Sequence, residues 1–175
     1  LLLIILSLSV FGELSAQGCL PNGIYFTSQS QIDAFPADYP GCTQILGEVV
    51  IQESTSGNIT HLDSLSAINS IGGRLFVNNN HTLPNLSGLD NLTTIGGDLT
   101  VISNNALTNL SGLESLVSIG GALDVGANDA LTSLSGLTNL TSINDSMSVW
   151  ANDALTSLNG LDNLTTIGGS LSVRD

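Results

Sequence analysis

From Ile71 to Asp175 the chain repeats itself every 24 residues, and no other feature restricts its fold as tightly. Ile71, Ile95, Ile119, Ile143 and Ile167 fall in one column. Leu75, Leu99, Leu123, Met147 and Leu171 fall in a second, and Val77, Val101, Val125, Val149 and Val173 in a third. The amides Asn80, Asn104, Asn128 and Asn152 keep step, followed by Leu83, Leu107, Leu131 and Leu155. A fixed period of this length marks a solenoid, in which each repeat forms one coil stacked on the next. A lone coil orders its whole backbone yet leaves its apolar side chains open on two sides, so only neighbours that share a core make it stable. The aromatic content of 4% suits a narrow interior filled by Leu, Ile and Val.

Within one coil, Leu99-Thr100-Val101 alternates as a half-buried strand does, with Leu99 and Val101 inward and Thr100 outward. Stacking then makes a parallel sheet. From Leu107 through Leu110, Leu113 and Leu116 to Ile119 the apolar spacing is three throughout, where a helix mixes three and four. The residues between are Thr, Asn, Ser and Gly, which are poor helix formers, so this stretch is expected to run as short extended steps and turns. Gly72-Gly73 recurs as Gly96-Gly97, Gly120-Gly121 and Gly168-Gly169, and once becomes Asn144-Asp145. Because Asn and Asp tolerate a left-handed backbone best, a positive φ is expected at one position of the pair. The Asn column is expected to be structural, its amides satisfying turn backbone groups and forming a ladder through the stack.

Upstream, Ile45, Gly47, Val49 and Ile51 match Ile95, Gly97, Leu99 and Val101 if Glu53 to Asn58 bulges by two residues. Ser28 and Gln31 then form a capping box for a short helix ending near Phe35-Pro36, placed to cover the open end of the first coil. Leu1 to Phe11 is an apolar run too short to span a bilayer and is followed by Ser15-Ala16-Gln17-Gly18, which fits a secretory signal at 1–17 whose positive n-region is missing. A lipoprotein signal ending at Cys19 is the competing reading, although Ala16-Gln17-Gly18 lacks the usual Leu. In an exported protein, Cys19 and Cys42, the only two cysteines, could form one disulfide. The expected organisation is a signal at 1–17, an N-terminal cap with helix and disulfide at 18–44, and a repeat solenoid at 45–175 truncated at its C-terminus.

Charge narrows the partners. Two Lys+Arg against fifteen Asp+Glu give a formal net charge of −13, which repels nucleic acid and anionic membranes, and no membrane insertion of the mature chain is expected. Asp129 and Asp153 share a column, which raises the question of a calcium site. Calcium needs six to eight oxygen ligands, and neither an EF-hand loop nor a glycine-aspartate nonapeptide is present, so no metal or cofactor is assigned. His61 and His81 lie in different columns and the serines have no base beside them, so no catalytic residue is assigned and an enzyme is not expected. The Asn-x-Ser/Thr sites, Asn109 and Asn139 among them, arise from the repeat itself.

The unit Leu92-Thr93-Thr94-Ile95-Gly96-Gly97-Asp98-Leu99-Thr100-Val101-Ile102-Ser103-Asn104-Asn105-Ala106-Leu107-Thr108-Asn109-Leu110-Ser111-Gly112-Leu113 resembles the leucine-rich-repeat relatives known as receptor L domains. The lead-in Phe35-Pro36-Ala37-Asp38-Tyr39-Pro40-Gly41-Cys42 is most similar to the secreted bacterial type. The resemblance implies a mainly β, right-handed parallel β-solenoid of 24-residue coils with a short helical cap, secreted or held at the cell surface. It further implies a non-catalytic recognition module that binds a protein or polysaccharide through its sheet. That draws attention to Arg74, Phe76, Asn78, Ile102, Asp124 and Trp150 at outward strand positions, where aromatic and Arg residues are the usual anchors. The alternative is a structural spacer in a surface adhesin or wall protein. A calcium-dependent polysaccharide-active β-helix enzyme is the third reading, against which the scarcity of basic residues counts.

Overall fold

Because the apolar columns recur at one spacing, a strand can bury its inward side chains by lying in register on its counterpart one repeat away. The computed structural model describes residues 18–174, and the expected signal at 1–17 lies outside the described residues, as does Asp175. Leu75 pairs with Leu99, Leu99 with Leu123, Leu123 with Met147 and Met147 with Leu171, all in parallel. The result is mainly β, and the described residues form fourteen strands in two seven-stranded parallel sheets, both ordered as the chain runs. One sheet has the longer strands, Leu75–Asn78, Leu99–Ile102, Leu123–Gly126, Met147–Trp150 and Leu171–Arg174, preceded by Val49–Ile51 and Ile24–Phe26. The other is built from two-residue strands such as Ser70–Ile71, Thr94–Ile95 and Ser118–Ile119.

Beyond Ile51 the third wall of the described residues has neither sheet nor α-helix. Leu107 N–H donates to Asn104 O, Leu113 N–H to Leu110 O and Leu116 N–H to Leu113 O, at 3.0, 3.2 and 3.0 Å. Leu107, Leu113 and Leu116 are thus each reached by a turn closed between residues three apart, which accounts for the three-residue apolar spacing there. Two turns tighten into short 3-10 helices, Asp63–Leu65 and Ser135–Leu137. Ile95, Leu99, Val101, Leu107, Leu110, Leu113 and Leu116 are all sealed from solvent, and one continuous aliphatic core runs through the stack.

The positive φ expected within the glycine pairs lies elsewhere. Asn79, Ser103, Ala127 and Ala151 adopt it, at 55, 58, 51 and 47°, each just before a residue of the Asn column. Gly88, Gly112 and Gly160 adopt it in the turn wall, at 109, 107 and 108°. The glycine pairs answer a different need, since a Cβ on Gly96 would strike the Gly72 carbonyl oxygen and one on Gly120 the Gly96 carbonyl oxygen. Where Asn144 replaces glycine, its N–H bond to Ile119 O is 3.0 Å, against 2.8 Å for Gly120 to Ile95 O.

The N-terminal end also departs from expectation. Gly18–Cys19 pairs with Gln44–Ile45, and Ile24–Phe26 pairs with Val49–Ile51, so a further coil precedes the first one traced from the repeat. In that coil the helix Gln29–Asp38 stands where later coils have turns, and it buries Ile32 and Phe35, with Phe35 edge-on to Phe26 at 5.8 Å. Ser28 occupies the N-cap without a capping side-chain bond, and Gln31 Oε1 accepts from Thr27 N–H at 2.7 Å, so the capping box is not formed. The helix continues past Pro36, which in the last turn forfeits only one intrahelical donor. A disulfide joins Cys19 to Cys42, with Cα atoms 5.7 Å apart, and ties the first short strand to the chain leaving the helix.

Candidate functional site

Strand alternation sends every second residue of the long-strand sheet outward, and the register sorts these residues into columns. Phe76, Thr100, Asp124, Ser148 and Ser172 form one, headed by Val50 and Tyr25. Asn78, Ile102, Gly126, Trp150 and Arg174 form the next. Of the residues singled out from sequence, Asn78, Ile102 and Trp150 therefore share one column, and Phe76 and Asp124 its neighbour. Arg74 stands just before its strand. Phe76 and Trp150 are three strands apart, roughly 14 Å at the usual strand spacing.

The face has two distinct ends. Near the N-terminus Arg74 Nε donates to Glu48 Oε2 at 2.7 Å, its guanidinium lies over Phe76 at 5.2 Å, and the Tyr25 hydroxyl donates to the same Glu48 carboxylate. The hydrogen bond from Tyr25, and after it the one from Arg74, holds the Glu48 carboxyl below the usual range, while that bond to Glu48 pushes the Tyr25 hydroxyl up. Arg74 is thus already paired and stacked. Toward the C-terminus, Trp150 Nε1–H donates to Asp124 Oδ1 at 2.7 Å, and the indole ring covers Gly126. Tyr25, Glu48, Gly126 and Arg174 were not singled out from sequence. The available signal for Gly126 was a glycine one repeat before Trp150 in a column otherwise holding Asn, Ile and Arg.

On the corner between the long-strand sheet and the turn wall, the Asn amides run through the stack. The amide oxygens of Asn104, Asn128 and Asn152 accept the backbone N–H of Asn80, Asn104 and Asn128, at 3.0, 2.9 and 3.1 Å. The Nδ2 groups of Asn80, Asn104, Asn128 and Asn152 donate to Ile51 O, Val77 O, Val101 O and Val125 O, at 2.9, 3.1, 2.9 and 3.0 Å. Buried backbone groups at a bend that strand pairing leaves unmatched are satisfied in this way.

Glu53 ends this ladder, a role sequence reasoning missed. Its N–H donates to Asn80 Oδ1 at 3.2 Å. Its carboxylate accepts from the backbone N–H of Gly57 and His81 on one oxygen, at 2.9 and 3.0 Å, and of Asn58 and Ile59 on the other, at 2.9 and 3.1 Å. Burial pushes this carboxyl up, but the four backbone donors outweigh it and hold it below the usual glutamate value. The carboxylate closes the loop after Ile51, a charged stand-in for the amide of later coils.

Asp129 and Asp153 are exposed, and among the described residues no three His, Cys, Asp or Glu side chains converge as metal ligands. A groove of about 340 Å³ runs along the short-strand sheet over Gly72, Gly96 and Gly120, between Leu46 and Asn144. No helix among the described residues is long and apolar enough to cross a membrane. Residues 41–117 match the family described as Receptor L domain, a stretch from the end of the cap through three turns of the stack. No curated protein and no solved structure matches the chain.

Proposed function

Proceeding from a chain that is receptor L-domain-like over residues 41–117, we propose that it is an extracellular or cell-surface recognition module that holds its ligand against the outer face of the long-strand sheet. The observation that carries this reading is the distribution of variation. Inward and turn columns repeat Leu, Ile, Val, Asn and Gly, whereas outward positions change from Phe76 to Thr100 to Asp124, and from Asn78 to Ile102 to Trp150. A solenoid writes recognition into the positions its stacking leaves free. The disulfide agrees with an oxidising compartment.

The same reading takes the stack as a right-handed β-solenoid of 24-residue coils at 45–175, with 18–44 as its N-terminal cap. The spacer alternative draws on the small outward residues Thr100, Ser148 and Ser172, which offer little contact area. The two separate in one experiment. A Phe76→Ser, Ile102→Ser, Trp150→Ser triple variant keeps its far-ultraviolet circular dichroism and loses retention on intact cell-surface material if the face binds. Equal retention by the triple variant contradicts the recognition reading.

A further inference from the structure

We propose that the outer face of the Trp150 indole is a stacking platform for one hexopyranose ring of a neutral polysaccharide. The assignment rests on the recognition reading of this sheet and names its ligand class.

The ring's posture comes from three distances. The atom nearest to where a Gly126 Cβ would stand is Trp150 Cε2, and its bonded neighbours Cζ2 and Nε1 are nearly equidistant at 2.5 and 2.6 Å. A point in the ring plane outside Cε2 would lie closer to Cζ2 and Nε1 than to Cε2, so the longer distances to both neighbours put this position beneath the plane of the ring, not at its edge. Nε1–H, bonded to Asp124 Oδ1, fixes the rotation. One face of the indole thus rests on the sheet in space that only glycine leaves empty, and the other face is turned away from it. Trp150 is half-buried, as a ring seated in this way should be. A side chain already locked in the free protein loses little rotamer freedom when a ligand stacks on it.

The flanks choose among flat ligands. Asp124 spends Oδ1 on the indole and keeps Oδ2 as an acceptor, and Ser148 sits beside Asp124 in register. On the other side Arg174 pairs in register with Trp150, offering donors. An apolar plate between an acceptor and a donor matches a pyranose, which turns C–H bonds from one face and hydroxyls from its rim. The C–H bonds are drawn to the negative π face. A cationic ligand would meet Arg174. A nucleobase stacks as readily but brings its phosphates to a chain of net charge −13, and a polyanionic glycan meets the same repulsion.

Trp150 is the single tryptophan of the sequence, so its fluorescence reports this platform alone. The full chain is titrated with neutral cello-, manno- and chito-oligosaccharides, with polylysine, heparin and a tryptophan-free peptide mixture as comparisons. At least one neutral oligosaccharide is expected to shift the emission saturably, with a Kd on the order of 1 mM or tighter. Gly126→Val, which removes the seat of the ring, then weakens binding at least about tenfold, and by calorimetry Trp150→Ala does the same should the valine variant fold poorly. No shift with any neutral oligosaccharide, a shift only with polylysine, heparin or peptide, or equal calorimetric binding by Trp150→Ala overturns the proposal. A partner retained through Phe76 and Ile102 would survive that failure, so losing the sugar site and losing the recognition face are separate results.

Discussion

The outer face of the long-strand sheet and the glycine floor of the short-strand sheet share one parallel register, yet they admit side chains to opposite degrees. Along the floor, Gly72, Gly96 and Gly120 lie so close to the preceding coil that a Cβ would strike its backbone, and the flanking outward residues are Ser70, Thr94 and Ser118. Along the long-strand face, Val50, Phe76, Thr100, Asp124 and Ser148 occupy equivalent places and differ in size, polarity and charge. Where backbones approach, geometry dictates the residue. Where side chains project, the stack is indifferent, and the sequence can be spent on contact.

Substitutions should reproduce that contrast. The largest effect is expected for Gly112→Ala in the turn wall, where φ is 107° and a Cβ would overlap the Leu86 backbone. Backbone strain of about 1–3 kcal/mol and overlap of about 1–3 kcal/mol predict a loss of roughly 2–6 kcal/mol in denaturant unfolding. An unchanged midpoint would mean that the wall is looser than the contacts show. Asn128→Ala strips the acceptor from Asn104 N–H and the donor from Val101 O, and should lose about 1–3 kcal/mol by the same measurement.

Glu53 tests the corner through pH. Its folded pKa lies below the unfolded one, so its contribution is complete above the ordinary glutamate range and disappears as pH falls through the lowered folded value. Glu53→Gln should be less stable near neutrality and should lose less stability on acidification across that window. Parallel curves for the two proteins would remove Glu53 from the corner. Smallest is Phe76→Ala on the varied face, expected to give up the Arg74 stacking, about 0.5–1 kcal/mol, with the fold intact. A loss as large as that of Gly112→Ala would erase the distinction between the two regions.

Much of this was legible before the structure because the repeat reports stacking directly. The inward columns at Ile95, Leu99 and Val101, the turn wall at Leu107 to Leu116 and the pairing of Cys19 with Cys42 all follow from spacing or from the cysteine count. The first coil was missed because its helix replaces the turns, so Ile24-Tyr25-Phe26 has no periodic partner around it. The glycine pairs were misassigned because sequence cannot separate a glycine needed for positive φ from one needed for close approach. Glu53 escaped notice because it stands two residues after Ile51, whereas Asn80 stands three after Val77; the left-handed residue between is absent there. The posture of Trp150 depends on a glycine on the neighbouring strand, a relation that no local window contains.

Successive repeats lie in register, one strand apart. Thr100→Cys with Asp124→Cys places two thiols on adjacent strands about 4.8 Å apart, within reach of a disulfide, whereas Thr100→Cys with Ser148→Cys places them roughly 10 Å apart. Mild oxidation followed by mass spectrometry of non-reduced peptides should find the first bond in high yield and the second only between molecules. Equal yields, or closure of the second pair alone, would contradict the stack.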